Sequence, residues 1–134
     1  MQVIKMYDKI LILTDGSENA KKAGMEAVDL AKKIGATVVI TYIFDQRLSM
    51  IATQEEEGQK YINDIKKYAQ TENVTAEDLL IYGSRKNDIL IISRKSEADL
   101  IVMAKHGNTK NTNTLMGEYT QFVVKNIKLP VLLI

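Results

Sequence analysis

The chain has 134 residues, enough for one domain that buries a single core without disulfide or metal staples. Hydrophobic residues make up 46% and charged residues 26%, and 18 basic against 17 acidic side chains give a formal net charge of +1. This balance gives no electrostatic reason to expect nucleic acid or an anionic membrane as the main partner, and the absence of cysteine excludes disulfides and thiolate sites. We expect a cytoplasmic protein, since neither a signal peptide nor a long apolar span is recognisable.

The first third of the chain predicts a strand, a helix and a second strand. Lys9–Thr14 is a short apolar run that ends at a turn, in which Ser17 is a suitable N-cap. Alanines then recur at helical spacings of three and four, and Gly35 stands where a left-handed C-cap is needed. Thr37–Phe44 is dense in β-branched and aromatic residues, which predicts a buried strand.

The remaining two thirds continue the alternation of helix and strand. The predicted segments are a helix from about Met50 to Thr71, a strand over Asp78–Tyr82, a short helix over Asn87–Ser96, a strand over Asp99–Met103, a helix from about Gly117 to Asn126 and a strand over Val131–Ile134. The apolar run at 89–92 also fits a strand, but its brevity and the charges around it favour a helix. The alternation predicts a single α/β domain with a doubly wound parallel sheet and helices on both faces.

Ligands of such sheets bind beyond the carboxyl ends of the strands, which directs attention to the segment 104–117 after the fourth strand. Gly107 lets backbone amides turn toward a ligand, and Gly117 opens a helix whose N-terminal end favours anions. Lys105 and Lys110 add positive charge. From the residues alone, an ordinary surface loop is nevertheless the stronger interpretation.

Other chemistry-bearing residues support no sharper assignment. Asp15 follows the first strand, where an Asp-Gly turn is the ordinary interpretation and contact with a ligand is the alternative. His106 is the single histidine and is expected to be a loop residue, because no second histidine or acidic cluster stands beside it. The sequence has neither a P-loop nor a Gly-x-Gly-x-x-Gly motif after a strand, and the third strand lacks the terminal aspartate of a response-regulator receiver.

Three stretches of the chain form a recognisable set: YDKILILTDGSENAKKA, GATVVITYIFD and ADLIVMAKHGNTKNTNTLMGEYTQFVVKNIKLPVLLI. Together they resemble the universal stress protein family, an α/β family that shares its nucleotide-binding fold with adenine-nucleotide hydrolase-like proteins. The resemblance runs from about Tyr7 to Ile134. It implies a five-stranded sheet in the order 3-2-1-4-5. ATP-binding members of the family carry Gly-x-x-Gly, nine residues, then Gly followed by Ser or Thr, together with an aspartate after the first strand.

This chain matches that motif in part. Asp15 stands at the aspartate position, Ile43 stands where backbone groups meet the adenine, and Gly107 and Gly117 match the second and third glycines with nine residues between them. The resemblance therefore implies a nucleotide site made of Asp15, Ile43, Met103, Ala104, Lys105, Gly107, Gly117 and Glu118, with no catalytic residue and no protein metal site.

Two positions depart from the motif. Ala104 replaces the first glycine, which costs roughly 1–2 kcal/mol if the backbone there is left-handed and adds only a methyl group otherwise. Glu118 replaces the Ser/Thr hydroxyl and adds a carboxylate near the terminal phosphates, where like charges about 4 Å apart repel by ~1 kcal/mol in water and ~4 kcal/mol at intermediate dielectric. Lys105, Lys110, a Mg2+ ion or rotation of Glu118 into solvent would compensate. We expect AMP and ADP to suffer less than ATP, and a vacant site stays open.

The family resemblance implies a regulatory or adaptor module of the stress response that binds ATP or another adenine nucleotide with Mg2+. Two alternatives remain open, a slow Mg2+-dependent nucleotide hydrolase and a dimeric adaptor without a ligand. We expect a homodimer formed through Val131–Ile134, because an apolar edge strand invites pairing with a second copy. Nucleic acid and membrane are not expected partners.

Overall fold

The computed structural model describes residues 7–45, 51–107 and 116–134. Strands and helices alternate through these ranges as predicted, and their ends lie within two residues of the predicted ones. The elements are β1 (Lys9–Leu13), α1 (Glu18–Ile34), β2 (Thr37–Asp45), α2 (Ile51–Thr71), β3 (Ala76–Gly83), α3 (Arg85–Lys95), β4 (Leu100–Met103), α4 (Glu118–Asn126) and β5 (Val131–Leu133). None of the helices in the described ranges combines the length and the apolarity that crossing a membrane requires.

The five described strands form one parallel sheet in the order β3-β2-β1-β4-β5, which confirms the predicted topology. β1 lies between β2 and β4, so the chain winds to one side of β1 in its first half and to the other side in its second half. The carboxyl ends of these three strands meet at this switch point, which is where doubly wound sheets leave a crevice for ligands.

Each face of the sheet has its own apolar core. Ile10 and Ile12 of β1 point to a cluster that includes residues of α1 and α2, whereas Leu11 and Leu13 point to a cluster that includes residues of α3 and α4. Successive side chains of a strand alternate between faces, so a sheet covered on both sides needs strands that are apolar throughout. Together the clusters hold the strand ends that form the crevice in a rigid frame.

The predicted helix caps are present. The Ser17 hydroxyl accepts a hydrogen bond of 3.1 Å from the Ala20 amide at the start of α1. Gly35 closes the helix with φ of 73°, in the left-handed region that favours glycine. The segment that admitted two interpretations is helical, and Ser84 caps it as the first residue before α3. Ser17 and Ser84 lie in the turns after β1 and β3, at the carboxyl edge of the sheet.

Candidate functional site

A cleft of about 1030 Å3 opens at the carboxyl edge of the sheet. Its floor includes the ends of β1, β2 and β4, and the first turns of α3 and α4 contribute to its sides. This volume is at the upper end of the range of about 300–1,000 Å3 that is common for small-molecule sites. The fold therefore provides room for a ligand at its switch point.

Most of the residues that the family motif implicates lie around this one cleft. The residues among them that line it are Asp15, Ile43, Met103, Ala104, Gly107, Gly117 and Glu118. Lys105 does not line the cleft: its side chain is exposed, while its backbone N–H donates to Ile134 and its carbonyl oxygen accepts from Gly117. Any part of Lys105 in ligand binding stays a prediction.

Asp15 forms the turn after β1 and also faces the cleft. Its Oδ1 accepts a hydrogen bond of 3.0 Å from the Ser17 amide, and the Thr14 hydroxyl accepts one of 3.1 Å from the Gly16 amide. Gly16 has φ of 86°, which a residue with a side chain rarely adopts. Asp15 therefore stabilises the turn, as one of the two interpretations predicted. Asp15 also lines the cleft, where it can contact a ligand.

Gly107 lies directly against Asp15, although 92 residues separate them in the chain. A Cβ atom added at Gly107 would collide with the Asp15 carboxylate, its distance to Cγ being only 2.9 Å. Glycine allows this close approach, whereas a side chain at position 107 would displace the Asp15 carboxylate. The contact joins the segments after β1 and β4 across the switch point.

Ala104 fits its position without backbone strain. It is 5% exposed, and the described non-glycine residues with positive φ are Asn73 and Glu97, so position 104 is not left-handed. Its carbonyl oxygen accepts a hydrogen bond of 3.0 Å from the Thr120 hydroxyl of α4. The first departure from the family motif therefore adds only a methyl group to the cleft wall.

Gly117 is the N-cap of α4 and has no side chain to satisfy the first amides of the helix. Its backbone is extended, with φ of −64° and ψ of 161°, and its N–H donates to the Lys105 carbonyl oxygen at 2.7 Å. The N-terminal end of a helix carries a partial positive charge, and uncapped amides there favour an anion. The start of α4 is thus suited to a phosphate.

Glu118 lines the cleft, and most of its side chain is exposed to solvent. Its side chain is 92% exposed, and its Oε1 lies 3.9 Å from Nζ of Lys86, which is 53% exposed. An ion pair as exposed as this one contributes little to stability. The pair does, however, place the Lys86 ammonium beside the carboxylate that replaces the family's hydroxyl. The negative charge that the second departure adds to the cleft therefore has a positive charge next to it.

A basic wall at the start of α3 was missed by the sequence-based reasoning. The Arg85 guanidinium lies 4.2 Å from the centre of the Tyr119 ring, and the Tyr119 hydroxyl donates to the Arg85 carbonyl oxygen at 2.8 Å. Burial raises the pKa of Tyr119 to about 12, although the nearby Arg85 opposes this rise. Arg85 and Lys86 both line the cleft. The signal was available, because Ser84-Arg85-Lys86 directly follows the predicted third strand.

Three buried threonines also line the cleft, and the sequence-based reasoning missed Thr41 and Thr120. Thr14, Thr41 and Thr120 are 8%, 1% and 3% exposed, and within the described ranges they are the buried polar side chains. No sequence pattern distinguishes Thr41 from the apolar residues around it in β2. The cleft is therefore more polar at its base than the run of β-branched residues predicts.

His106 was predicted to be a loop residue, and Lys110 was predicted to add positive charge to the loop after β4. His106 lies in the loop after β4, half-buried, with a buried Nδ1 that has no hydrogen-bond partner in the described part of the chain. No group of three or more His, Cys, Asp or Glu in the described ranges is arranged to hold a metal ion. Lys110 lies outside the described residues.

Comparison with known proteins finds relatives along almost the whole of this chain. The model of the universal stress protein family matches residues 6–134. Universal stress protein MJ0531 of Methanocaldococcus jannaschii is 32% identical over 140 residues, which cover 96% of this chain and 82% of that protein.

Solved structures share the fold along almost the whole chain. The structure of protein MJ0577 superimposes with a TM-score of 0.82 at 28% identity, covering 96% of each chain. A universal stress protein from Archaeoglobus fulgidus, solved in complex with dAMP, superimposes with a TM-score of 0.75 at 16% identity and covers 96% of this chain and 98% of that one. At 16% identity the second likeness shows the fold alone.

Proposed function

Because the chain belongs to the universal stress protein family, we propose that it binds an adenine nucleotide in the cleft at the carboxyl ends of β1 and β4 and acts as a regulatory module of the stress response. The observation that carries this proposal is the convergence of the motif residues on one cleft. The dAMP complex of the Archaeoglobus fulgidus protein of the same fold supports the class of ligand.

The layout of the cleft suggests how the ligand would lie. Ile43 and Met103 are 8% and 4% exposed and offer apolar surface to a purine and its ribose. Gly117 and the first turn of α4 offer backbone amides and a partial positive charge to a phosphate. The base would then lie over β2 and the phosphates at α4, with β1 between them.

The charges around the phosphate end favour an anion despite Glu118. Arg85 and Lys86 line the cleft at the start of α3, and the Lys86 ammonium accompanies the Glu118 carboxylate at 3.9 Å. A solvated carboxylate repels a phosphate much less than a buried one, because water screens the interaction. We infer that the cleft accommodates AMP, ADP and ATP. Repulsion by Glu118 should be weakest for the nucleotides with the shorter phosphate chains.

Mg2+ would enter this site with the nucleotide. The ion prefers oxygen ligands and keeps several waters, so phosphates supply most of its coordination in nucleotide complexes. The described residues around the cleft hold no cluster of metal-binding side chains of their own. This arrangement fits an ion that depends on a di- or triphosphate, and it gives Mg2+ little effect on the binding of AMP.

The proposal is tested first on the freshly purified protein. After denaturation, mass spectrometry identifies any nucleotide that was carried along, and calorimetric titration of the emptied protein with AMP, ADP and ATP, with and without Mg2+, gives affinities. We expect an adenine nucleotide to bind and GMP to bind less well. A protein that carries no nucleotide and gives no heat with any adenine nucleotide would refute the proposal and leave the ligand-free adaptor.

The same preparation separates a binder from the alternative hydrolase. Phosphate or pyrophosphate released from ATP over hours, in proportion to protein and dependent on Mg2+, would favour a slow hydrolase. A G107A variant serves as the control, because its added Cβ meets the Asp15 carboxylate and should disturb the cleft. Activity that persists unchanged in G107A would point to a contaminating enzyme.

We also propose that two copies associate through β5. This strand is at one end of the described strand order, and Leu132 on it is 41% exposed. An edge strand with free backbone groups and exposed apolar side chains can pair with a second copy of itself. Sedimentation at micromolar concentration should give a dimer, and a monomer at all concentrations would refute this association.

A further inference from the structure

The hydroxyl of Thr41 is the feature of the cleft that the fold itself does not explain. Thr41 is 1% exposed, and its Oγ1 is buried with no hydrogen-bond partner in the described ranges. Its carbonyl oxygen accepts a hydrogen bond of 3.0 Å from the Thr14 amide. Buried hydroxyls nearly always have partners, because leaving one unpaired is costly.

The two other buried threonines of the cleft show what an internal role looks like. The Thr14 hydroxyl accepts from the Gly16 amide, and the Thr120 hydroxyl donates to the Ala104 carbonyl oxygen. Each of these bonds fixes a turn or a helix of the cleft wall. Thr41 has no such bond, so the described fold makes no use of its hydroxyl.

The neighbours of Thr41 show that packing alone does not require a hydroxyl. Val39 and Ile43, two residues before and after it in β2, belong to the apolar cluster on the face of α3 and α4. Strand periodicity places Thr41 on that same face. Valine has nearly the same shape as threonine, so it would fill this position without an unpaired polar group. The hydroxyl is retained at the cleft at the expense of stability.

We propose that the Thr41 hydroxyl hydrogen-bonds the base of the bound nucleotide. This inference rests on the proposed function and specifies which residue reads the ligand. β2 and β4 are the two neighbours of β1, so they lie about 10 Å apart in the sheet. With phosphates at the start of α4, after β4, the opposite end of the ligand falls over β2, beside Thr41.

The chemistry of the two groups is complementary. A threonine hydroxyl donates one hydrogen bond and accepts others, and it rotates to suit its partner. The edge of adenine presents both an amino donor and ring-nitrogen acceptors. Formation of this bond would satisfy an oxygen that is unpaired in the empty cleft, so the bond is gained without giving up another one within the protein.

The experiment compares T41V with T37V by calorimetric titration. Thr37 is in the same strand and on the same face, but at the amino end, away from the cleft. We expect T41V to bind adenosine, AMP and ATP about 3- to 10-fold more weakly, by a similar factor for each, because the lost bond is to the base. T37V should bind like the wild type, and T41V without ligand should unfold at or above the wild-type temperature.

A second matched pair covers the case in which T41V does not fold. T41S and T41A both lose the γ-methyl group, and only T41S keeps the hydroxyl. T41S should bind AMP as tightly as the wild type, and T41A should bind it about 3- to 10-fold more weakly.

Three results would overturn the inference. They are equal binding by T41V and the wild type, a loss of binding that T37V shares, and a loss limited to the phosphorylated ligands. If wild-type protein binds none of the ligands, the proposed function fails and this inference fails with it. Wild-type binding that survives in T41V overturns only the role of Thr41.

Discussion

The two roles of Asp15, support of a turn and contact with a ligand, can be separated with one pair of substitutions. Its Oδ1 accepts the Ser17 amide at 3.0 Å, and Ser17 in turn caps α1. D15N keeps an oxygen that can accept the same hydrogen bond, since Asn forms the same local turns as Asp. D15A removes the acceptor and leaves the Ser17 amide to water.

The structure sets the size of each effect. Loss of one partly buried hydrogen bond costs about 0.5–1.5 kcal/mol, so D15A should lower the melting temperature by roughly 2–5 °C, while D15N should change it little. If the carboxylate also accepts a hydrogen bond from the nucleotide, that charged bond contributes about 1.5–3 kcal/mol, so D15N should weaken binding by roughly 10- to 100-fold.

Thermal unfolding followed by circular dichroism measures the first effect, and calorimetric titration with AMP measures the second. D29N is the matched control, because Asp29 accepts one hydrogen bond at Oδ1, from the Tyr68 hydroxyl, and does not line the cleft. D15N that binds AMP as tightly as D29N and the wild type would limit Asp15 to its turn. D15A as stable as the wild type would refute the turn as a source of stability.

Three further predictions concern the charges, the buried tyrosine and the sheet edge. In calorimetry, E118S should bind ATP about fivefold more tightly than the wild type and should bind AMP with almost the same affinity. The reason is that like charges about 4 Å apart in water repel by ~1 kcal/mol. An equal gain in affinity for both nucleotides would show that Glu118 does not face the outer phosphates. Burial raises the pKa of Tyr119 to about 12, whereas a tyrosine in the unfolded chain titrates near 10. Between pH 10 and 12 the unfolded state therefore binds fewer protons than the folded state. The free energy of unfolding should fall over this range. Chemical denaturation at several pH values should show a shallower fall in Y119F, and identical slopes would contradict the assignment. L132K places a charge on the exposed edge of β5 and should convert a dimer into a monomer in sedimentation; a dimer that persists would move the interface elsewhere.

The fold was predictable because its determinants are local and repeated. Apolar runs of four to nine residues, each followed by a turn and a helical period, fix the strand–helix alternation. Caps such as Ser17 and Gly35 act within a few residues of themselves, and both are found as predicted. The ends of β3 and α3 were predicted less well, each starting two residues earlier than expected. β3 starts at Ala76 because Ala76 and Glu77 pair with β2, although both residues are partly exposed. A single sequence does not reveal which residues of neighbouring strands pair.

The cleft was predictable only where the family motif or the turn chemistry marks a residue. Asp15, Gly107 and Gly117 stand out in the sequence because glycine and Asp-Gly turns have specific backbone uses. Arg85 and Lys86 went unnoticed because exposed basic residues are common on helices, and only the sheet order brings the start of α3 to the same edge as the motif.

Thr41 illustrates the part of a binding site that sequence patterns hide. Threonine suits a strand as well as valine does, so its presence in β2 agrees with every local preference. The anomaly appears only when burial and hydrogen bonding are known together, because a hydroxyl is unremarkable on a surface and costly in a core. Selection for packing alone would favour an apolar residue there, whereas selection for a ligand would keep an oxygen that is paired only when the cleft is occupied. Binding would then stabilise the protein by more than the contacts of Ile43 and Met103 supply, and that excess should disappear in T41V.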